Sequence, residues 1–235
     1  MTRTYSNFNT DFSKAQLARL ADKENTPDIY KEAMTLLGER LGEVVSLKIQ
    51  DRSASLYLAC TVEDADYLAK GMLTSLEKSF QSVNLACFWN KRFSPSNVQD
   101  LKASPIIRKY TEPQNKAISH LVVVKSIISG GCVVKTNLTD LIQTIHPEKI
   151  FIVAPVIYAG AEKRLAVEFE ASVYEKFQFI YLAEDNERTD EGEVVPGIGG
   201  MVYDRLGFNG QDDKNSYTPD LVRTRRRQLV SSTVS

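Results

Sequence analysis

Apolar positions along the chain follow two alternating patterns. From Ile29 they recur at the spacing of one helical face. Thr26, Pro27 and Asp28, directly before it, supply the capping hydroxyl, the first-turn proline and the first-turn acid of a helix start. Residues 121–124 form a short continuous apolar run, which is typical of a strand that a parallel sheet buries on both faces. The chain is therefore predicted to contain both amphipathic helices and buried strands.

The two patterns alternate to about residue 183. The first long helix is predicted to end near Val45. Strands are predicted at residues 53–60, 83–89, 121–124, 149–158 and 178–183, and further helices at residues 64–80, after residue 131 and at residues 161–177. Strands that alternate with helices imply an α/β fold with a doubly wound, mostly parallel sheet. Right-handed crossovers would place the functional loops at the carboxyl ends of the strands.

Length and composition suit one large domain with an appendage. The chain has 235 residues, of which 43% are apolar, enough to bury a sizeable core. We expect one domain over residues 1–210, with an N-terminal helical part at residues 1–50. A C-terminal extension follows at residues 211–235.

Charge and cysteine usage narrow the classes of function. The formal net charge of −1 gives no overall field that would recruit nucleic acid or a membrane, so such a role needs a local patch. We expect a cytoplasmic protein without a membrane partner, because no apolar stretch approaches the roughly 18 residues of a membrane span. No residues have the spacing of a metal site. A catalytic pair of Cys132 and His146 stays open.

A glycine-rich loop after the strand at 121–124 is a candidate phosphate site. Gly130 and Gly131 permit a positive φ and a close approach of the backbone to a ligand. The helix that follows presents unpaired N–H groups and a positive dipole end. Phosphate binding is therefore predicted at Ser129, Gly130, Gly131 and Cys132. A tight strand-to-helix turn without a ligand is the alternative.

A second loop is rich in glycine beyond residue 190. Gly192, Gly197, Gly199 and Gly200 leave main-chain N–H and C=O groups uncovered. Exposed backbone of this kind is suited to reading the polar edge of a flat heterocycle. A mobile surface loop is an equal interpretation.

Together these segments resemble uracil phosphoribosyltransferases over residues 14–208. Residues 17–28 are similar to the opening of that family, and residues 105–113 to the segment before its donor-binding strand. Residues 129–131 stand where the family has a Thr-Gly-Gly phosphate loop. Residues 194–199 are close to its Val-Pro-Gly-Leu-Gly base loop. The order and spacing of the four segments match the family.

The resemblance implies a phosphoribosyltransferase-type fold, a homodimer, and Mg²⁺ if the donor is phosphoribosyl diphosphate. It assigns base binding to Val195, Pro196, Gly197, Ile198 and Gly199. It also suggests catalytic roles for Asp204, which follows the base loop, and for Lys91 and Arg92, which lie near a family arginine.

Two family features are replaced in this sequence. Val124, or Lys125 if the alignment shifts by one, stands where the family has an aspartate for the ribose hydroxyls, and neither side chain accepts two hydroxyl donors. Residues 59–64 replace an Arg-Ala-Gly that binds pyrophosphate. Glu63 and Asp64 in this segment are expected to repel that anion.

The last residues contain the strongest basic cluster of the chain. A helix is predicted to start at Thr218, and the partner-binding residues are predicted to be Arg223, Arg225, Arg226 and Arg227. These arginines are suited to nucleic-acid phosphate or an acidic protein partner. A solvated, partly disordered tail is the alternative.

Three functions are compatible with the sequence. The first is a divergent phosphoribosyltransferase-like protein that binds a nucleotide or ribosyl-phosphate ligand and, if active, transfers ribosyl phosphate to or from a nucleobase. The second is a non-catalytic nucleotide-sensing or assembly module in a bacterial defence or regulatory complex. The third is uracil salvage, which the altered loops disfavour.

Overall fold

A mostly parallel β-sheet is the centre of the computed structural model, which describes residues 2–92 and 104–233. Its strands are β1 (Arg3–Tyr5), β2 (Ser55–Thr61), β3 (Ser82–Asn90), β4 (Ile106–Thr111), β5 (His120–Val124), β6 (Ile127–Ile128), β7 (Lys149–Tyr158) and β8 (Phe177–Asp185). The strand order is β1-β8-β7-β5-β2-β3-β4, and β6 pairs with β7 in the register of β5. The five inner strands are parallel, and the edge strands β1 and β4 are antiparallel to their neighbours.

Helices cover both faces of the sheet. One layer contains α1 (Asp11–Ala21), α2 (Pro27–Lys48), α3 (Val62–Asp64), a π-helical turn (Ala65–Ala69), α4 (Lys70–Glu77), α8 (Val202–Arg205), α9 (Gly210–Ser216) and α10 (Asp220–Thr233). The other contains α5 (Cys132–Ile142), α6 (Ala161–Ala166) and α7 (Ala171–Tyr174). A hairpin of β9 (Glu187–Arg188) and β10 (Val194–Val195) follows β8. None of the described helices combines the length and apolar character needed to cross a membrane.

Alternate side chains of one strand enter the two cores. In β2, Leu56 and Leu58 belong to the core beneath α2, whereas Tyr57 and Ala59 belong to the core beneath α5. Every residue of β2 is buried, as expected for a strand covered on both faces. The predicted doubly wound, mostly parallel α/β fold is therefore confirmed.

Helix α2 begins as predicted and ends three residues later. The Thr26 hydroxyl accepts a hydrogen bond from Ile29 N, and Pro27 occupies the first turn. The helix continues past Val45 to Lys48, and the next residue, Ile49, is buried. Burial of that apolar side chain favours the longer helix over an earlier end.

Glycines bring α2 against the helical segment that contains α4. A Cβ on Gly38 would lie 2.1 Å from Leu68 O, and one on Gly71 would lie 2.2 Å from Thr35 O. No side chain fits at such distances, so the two backbones are in direct contact. The helical periodicity identified these helices but did not reveal this contact.

The single helix predicted at residues 161–177 is wrong. The structure has two short helices, α6 and α7, because the chain turns between them. The turn places the Phe169 ring edge-on to Phe177, with centroids 5.4 Å apart. Packing of this aromatic pair overrides the helical spacing of the sequence.

The segment after Phe208 packs on the domain. Lys214 of α9 is buried, and so are Leu221 and Val222 of α10. The indole N–H of Trp89 donates to the Tyr217 carbonyl oxygen at 2.8 Å. Residues 210–222 are therefore packed on the domain and are not a disordered tail, whereas most side chains of α10 after Val222 are exposed to solvent.

Candidate functional site

A cavity of about 320 Å³ lies at the carboxyl ends of the central strands. The loop of residues 129–132 forms one wall, and the β9–β10 hairpin with the loop after it forms another. Arg92 and Lys125 also line it. Ligands of open α/β sheets bind at this edge, so the cavity is the candidate site.

The predicted phosphate loop faces this cavity. Ser129, Gly130, Gly131 and Cys132 all line it. Gly131 has φ 81° and is the N-cap of α5, whose start is not capped by any described side chain. The positive end of an 11-residue helix therefore points to the cavity, an arrangement that favours an anion.

Arginine side chains reinforce the loop. Arg188 Nη2 donates to Ser129 Oγ at 2.6 Å, and its guanidinium lies 3.8 Å from the centroid of the Tyr158 ring. Arg164 holds the backbone from the other side, with donation to Ser129 O at 3.3 Å and to Ala159 O at 2.9 Å. Ser129 accepts from Arg188, so its own O–H can be donated to a ligand.

Arg92 adds a second guanidinium to the cavity. Its Nη1 donates to Met201 Sδ at 3.4 Å, and its backbone N–H donates to Gln211 Oε1 at 2.5 Å. Helix α9 therefore helps to place a predicted site residue. Sequence reasoning identified Arg92 but missed Arg188 and the contribution of α9.

A buried ion cluster occupies the ends of β2 and β5. Lys125 Nζ lies 2.7 Å from Asp64 Oδ2 and 3.2 Å from Glu63 Oε1. Lys214 Nζ lies 3.6 Å from Glu63 Oε2. All four side chains are at most 4% exposed. The cluster thus pairs two buried carboxylates with two buried ammonium groups.

The charged groups of this cluster shift each other's pKa. Burial raises the pKa of Glu63, but Lys125 and Lys214 together lower it to about 2. Burial lowers the pKa of Lys125, and the carboxylates of Asp64 and Glu63 more than compensate and raise it. Burial lowers the pKa of Lys214 despite the attraction of Glu63. Glu63 is therefore held ionised by its neighbours.

The cluster also connects α9 to α5. Lys214 Nζ donates to Asn90 O at 2.9 Å. The Asn90 and Asn137 amides exchange two hydrogen bonds, of 2.8 and 3.1 Å. Asn137 lies on α5, so the helix that begins at the phosphate loop is tied to the C-terminal segment.

The predicted base loop is mostly engaged within the protein. Ile198 lines the cavity, whereas Val195, Pro196, Gly197 and Gly199 are not part of its lining. The Val195–Pro196 peptide bond is cis. Gly199 has φ 78°, and a Cβ there would lie 2.2 Å from Leu20 O, so this residue serves close packing on α1.

The backbone of Gly197 already makes hydrogen bonds within the protein. Its N–H donates to Asp185 Oδ2 at 2.8 Å, and its carbonyl oxygen accepts from Arg3 Nη2 at 2.6 Å. Glu191 and Glu193 of the hairpin line the cavity instead. The N–H and the carbonyl oxygen of Gly197 each already have a partner within the protein, so base binding by residues 195–199 stays a prediction.

Two of the three predicted catalytic residues lie outside the cavity. Asp204 is exposed on α8 and does not line it. Lys91 is exposed, and its backbone N–H donates to Pro105 O at 3.1 Å. Only Arg92 lines the site. Cys132 is the first residue of α5 and His146 lies beyond its end, so a helix of roughly 15 Å, at 1.5 Å per residue, stands between them in the chain.

The predicted arginine cluster separates into two groups. Arg225 points inward and bonds both oxygens of Glu112, at 2.7 and 2.8 Å. It is therefore a structural residue and not a partner-binding one. Arg223, Arg226 and Arg227 are exposed on α10.

The fold of this chain is similar to that of a solved structure. The AQ2163 protein from Aquifex aeolicus aligns with a TM-score of 0.64 at 14% identity, over 84% of this chain and 95% of that chain. At this identity, the likeness shows a shared fold alone. No family model and no curated protein matches the chain.

Named phosphoribosyltransferases also resemble the chain, at low identity. A hypoxanthine phosphoribosyltransferase from Staphylococcus aureus aligns with a TM-score of 0.40 at 11% identity, over 74% of this chain and 82% of that chain. The L. donovani hypoxanthine-guanine enzyme aligns with a TM-score of 0.38 at 10% identity, over 68% of this chain and 84% of that chain. At these TM-scores and identities, the similarity says nothing about the activity of this chain.

Proposed function

We propose that the chain binds a nucleotide or ribosyl phosphate in the cavity and acts as a nucleotide-binding module, not as a transferase that uses phosphoribosyl diphosphate. One observation carries the proposal: the start of α5, which begins at the phosphate loop, and the guanidinium groups of Arg92 and Arg188 line the same cavity. These groups are suited to a phosphate monoester.

The phosphate end of the ligand is supported by complementary donors. Ser129 can donate its hydroxyl, and Arg188, already bonded to Ser129, lies beside it. A Cβ on Gly130 would meet nothing within 4 Å, so space for a ligand exists above this residue. A phosphate at the loop would therefore meet a hydroxyl, a guanidinium and the first turn of α5.

Other residues of the cavity lining are suited to a heterocycle. Ile198, Met201 and Val202 supply apolar surface, and Glu191 and Glu193 supply carboxylates. Apolar walls with a few polar groups are typical of sites for flat ligands.

The pyrophosphate of phosphoribosyl diphosphate does not fit the residues present. In the resembling family this group binds after the strand that corresponds to β2, where the chain has Glu63 and Asp64. Lys125 and Lys214 are already bonded to these carboxylates, so their charges are not available to an anion.

Mg²⁺ for such a donor does not fit either. Val124, at the position of the family aspartate, is buried and offers no oxygen ligand from its side chain. The carboxylates of Glu63 and Asp64 already have ammonium partners. We therefore derive no step through Mg²⁺.

Transfer of ribosyl phosphate to or from a base with a different donor is the second candidate. Glu191 and Glu193 on the cavity favour it, because a carboxylate there can exchange a proton with a base. Release of free base from a nucleoside monophosphate would support this candidate. Release of pyrophosphate from uracil and phosphoribosyl diphosphate would instead support uracil salvage.

Isothermal titration tests the proposal. We expect uridine monophosphate, other nucleoside monophosphates or ribose 5-phosphate to bind without Mg²⁺, and phosphoribosyl diphosphate with Mg²⁺ to bind no more tightly. Arg188→Gln should weaken binding about tenfold or more, since a hydrogen bond to a charged group contributes roughly 1.5–3 kcal/mol.

A matched variant separates this effect from a general loss of charge. Lys163→Gln removes an exposed cation of α6 outside the cavity lining and should leave the affinity unchanged. The proposal fails if no phosphate compound binds, or if the two variants behave alike. A nucleotide-binding module without catalysis would serve as a sensor in a larger complex, such as a bacterial defence or regulatory assembly. The family resemblance also implies a homodimer. Analytical ultracentrifugation would test that oligomeric state.

A further inference from the structure

Helix α10 is anchored at its first turn. Asp66, in the π-helical turn, accepts hydrogen bonds from the backbone N–H groups of Asp220 and Leu221, at 3.1 and 2.8 Å. The same carboxylate accepts from the Tyr217 hydroxyl at 2.5 Å. The helix is therefore held in one position on the domain, and its outer face is a defined surface.

Arg225 fixes the middle of the helix. It bonds Glu112 through two nitrogens, Glu77 Oε1 at 2.7 Å and Val83 O at 2.6 Å. This clamp pairs the single positive charge of Arg225 with the carboxylates of Glu77 and Glu112, so one negative charge remains beneath the helix. The other arginines of α10 are left on the outer side.

Four exposed guanidinium groups form one basic face, which we call the arginine face. Its members are Arg108 of β4 and Arg223, Arg226 and Arg227 of α10. Aromatic rings beneath two of them hold their positions. Arg108 lies 3.8 Å from the Trp89 centroid, and Arg226 lies 5.3 Å from the Tyr110 centroid.

The groups named on and around the arginine face leave a small positive charge. Arg225 and the four arginines of the face stand against the carboxylates of Asp66, Glu77, Glu112 and Asp220, which leaves one net positive charge, and Asp220 pairs with Arg223 at 2.9 Å. Burial lowers the pKa of Arg108, and repulsion from Arg226 lowers it further, which is the effect of two cations on one surface. An anion between them would relieve that repulsion.

We propose that the arginine face binds the phosphate backbone of a double-stranded nucleic acid without reading its sequence. Guanidinium groups bind phosphate through two parallel hydrogen bonds, and arginine is favoured for this purpose. Trp89 and Tyr110 are buried beneath the arginines and offer no platform on which bases of a single strand could stack. The face therefore fits a backbone and not unpaired bases.

This proposal is independent of the nucleotide cavity. The net charge of the whole chain is −1, so binding must come from the local face and not from an overall field. Contacts with up to four phosphates predict a slope of log affinity against log salt of about −2 to −4. Affinity should be weak at high salt and should not depend on sequence.

Fluorescence anisotropy with a labelled DNA duplex of random sequence tests the proposal. We expect binding at low salt, and the double variant Arg226→Gln/Arg227→Gln should weaken it and reduce the salt slope by about two. Lys78→Gln, an exposed cation at the end of α4, is the matched control and should change neither quantity. Unchanged melting temperatures of the variants would confirm that both are folded.

Competitors distinguish the partners. An RNA duplex that competes as well as DNA would support recognition of backbone charge common to both. A single strand or a polyglutamate peptide that binds more tightly than the duplex would overturn the proposal. So would a salt slope that the double variant leaves unchanged.

Discussion

Arg3, which is partly buried, and Asp185, which is fully buried, form an ion pair that holds the base loop in place. Arg3 Nε and Nη2 lie 2.8 and 2.7 Å from the two oxygens of Asp185. Each partner also bonds Gly197, Arg3 to its carbonyl oxygen and Asp185 to its N–H. Three residues that are far apart in the sequence thus form one closed network between β1, β8 and the loop.

Removal of Arg3 should release this loop. Arg3→Met leaves Asp185, which is fully buried, without its cation, so we expect the free energy of unfolding to fall by roughly 3–5 kcal/mol. Hydrogen exchange at the Gly197 amide should become faster than in the unmodified protein. Chemical denaturation together with exchange measured by mass spectrometry checks both expectations.

Arg3→Lys is the informative control. A lysine keeps the charge but cannot bond both Asp185 oxygens and the Gly197 carbonyl in the geometry of a guanidinium. It should restore part of the stability and little of the protection of the loop. If Arg3→Lys fully recovers the stability and the protection of the Gly197 amide, the guanidinium geometry of Arg3 is not required.

The network also shows where sequence reasoning succeeds and where it ends. Alternating periodicity predicted the sheet and its helices because burial on each face repeats along the chain, as in β2. The glycines of residues 129–131 were identified because a strand leads into them and a helix follows. The role of Gly197 was not predictable, since its partners Arg3 and Asp185 lie on different strands and only the fold brings them together.

Lys125 illustrates the same limit. It follows the buried strand β5 directly, so a polar residue at a functional edge was visible in the sequence. Its partners Glu63 and Asp64 were read as groups that repel an anion, since nothing in the sequence indicates that two lysines neutralise them. Lys214 comes from beyond the segment that resembles the family, which is why it was missed.

The contact between α2 and the α4 segment predicts a strong effect of a small substitution. Gly38→Ala places a methyl group against the Leu68 carbonyl oxygen, so one of the helices must move. We expect the protein to lose about 1–3 kcal/mol of stability, as in other overpacked cores. Gly130→Ala is the matched control, because its methyl group meets nothing within 4 Å. Equal losses in thermal or urea unfolding would contradict the proposed backbone contact.

Loss of Lys125 should destabilise the protein through its partners. Lys125→Met leaves the buried carboxylates of Asp64 and Glu63 with one cation fewer, at a cost of roughly 3–5 kcal/mol. A second change, Asp64→Asn, removes one of the uncompensated charges and should recover part of that loss. Urea unfolding of the single and double variants measures the coupling. Additive losses would show that the two residues do not act as a pair.

The ionisation of Glu63 predicts how stability depends on pH. Its pKa is about 2 in the folded protein, below the ordinary value of 4.5, so its contribution is complete above about pH 4.5 and is lost as the pH falls towards 2. At about 1.4 kcal/mol per pKa unit, the difference of about 2.5 units corresponds to roughly 3 kcal/mol. We expect Glu63→Gln to be less stable than the unmodified protein at pH 6, and the gap between the two should narrow steadily from pH 4.5 to pH 3 in urea unfolding. Other acids titrate in both proteins and cancel from the difference. A gap that stays constant with pH would mean that Glu63 is not held ionised by Lys125 and Lys214.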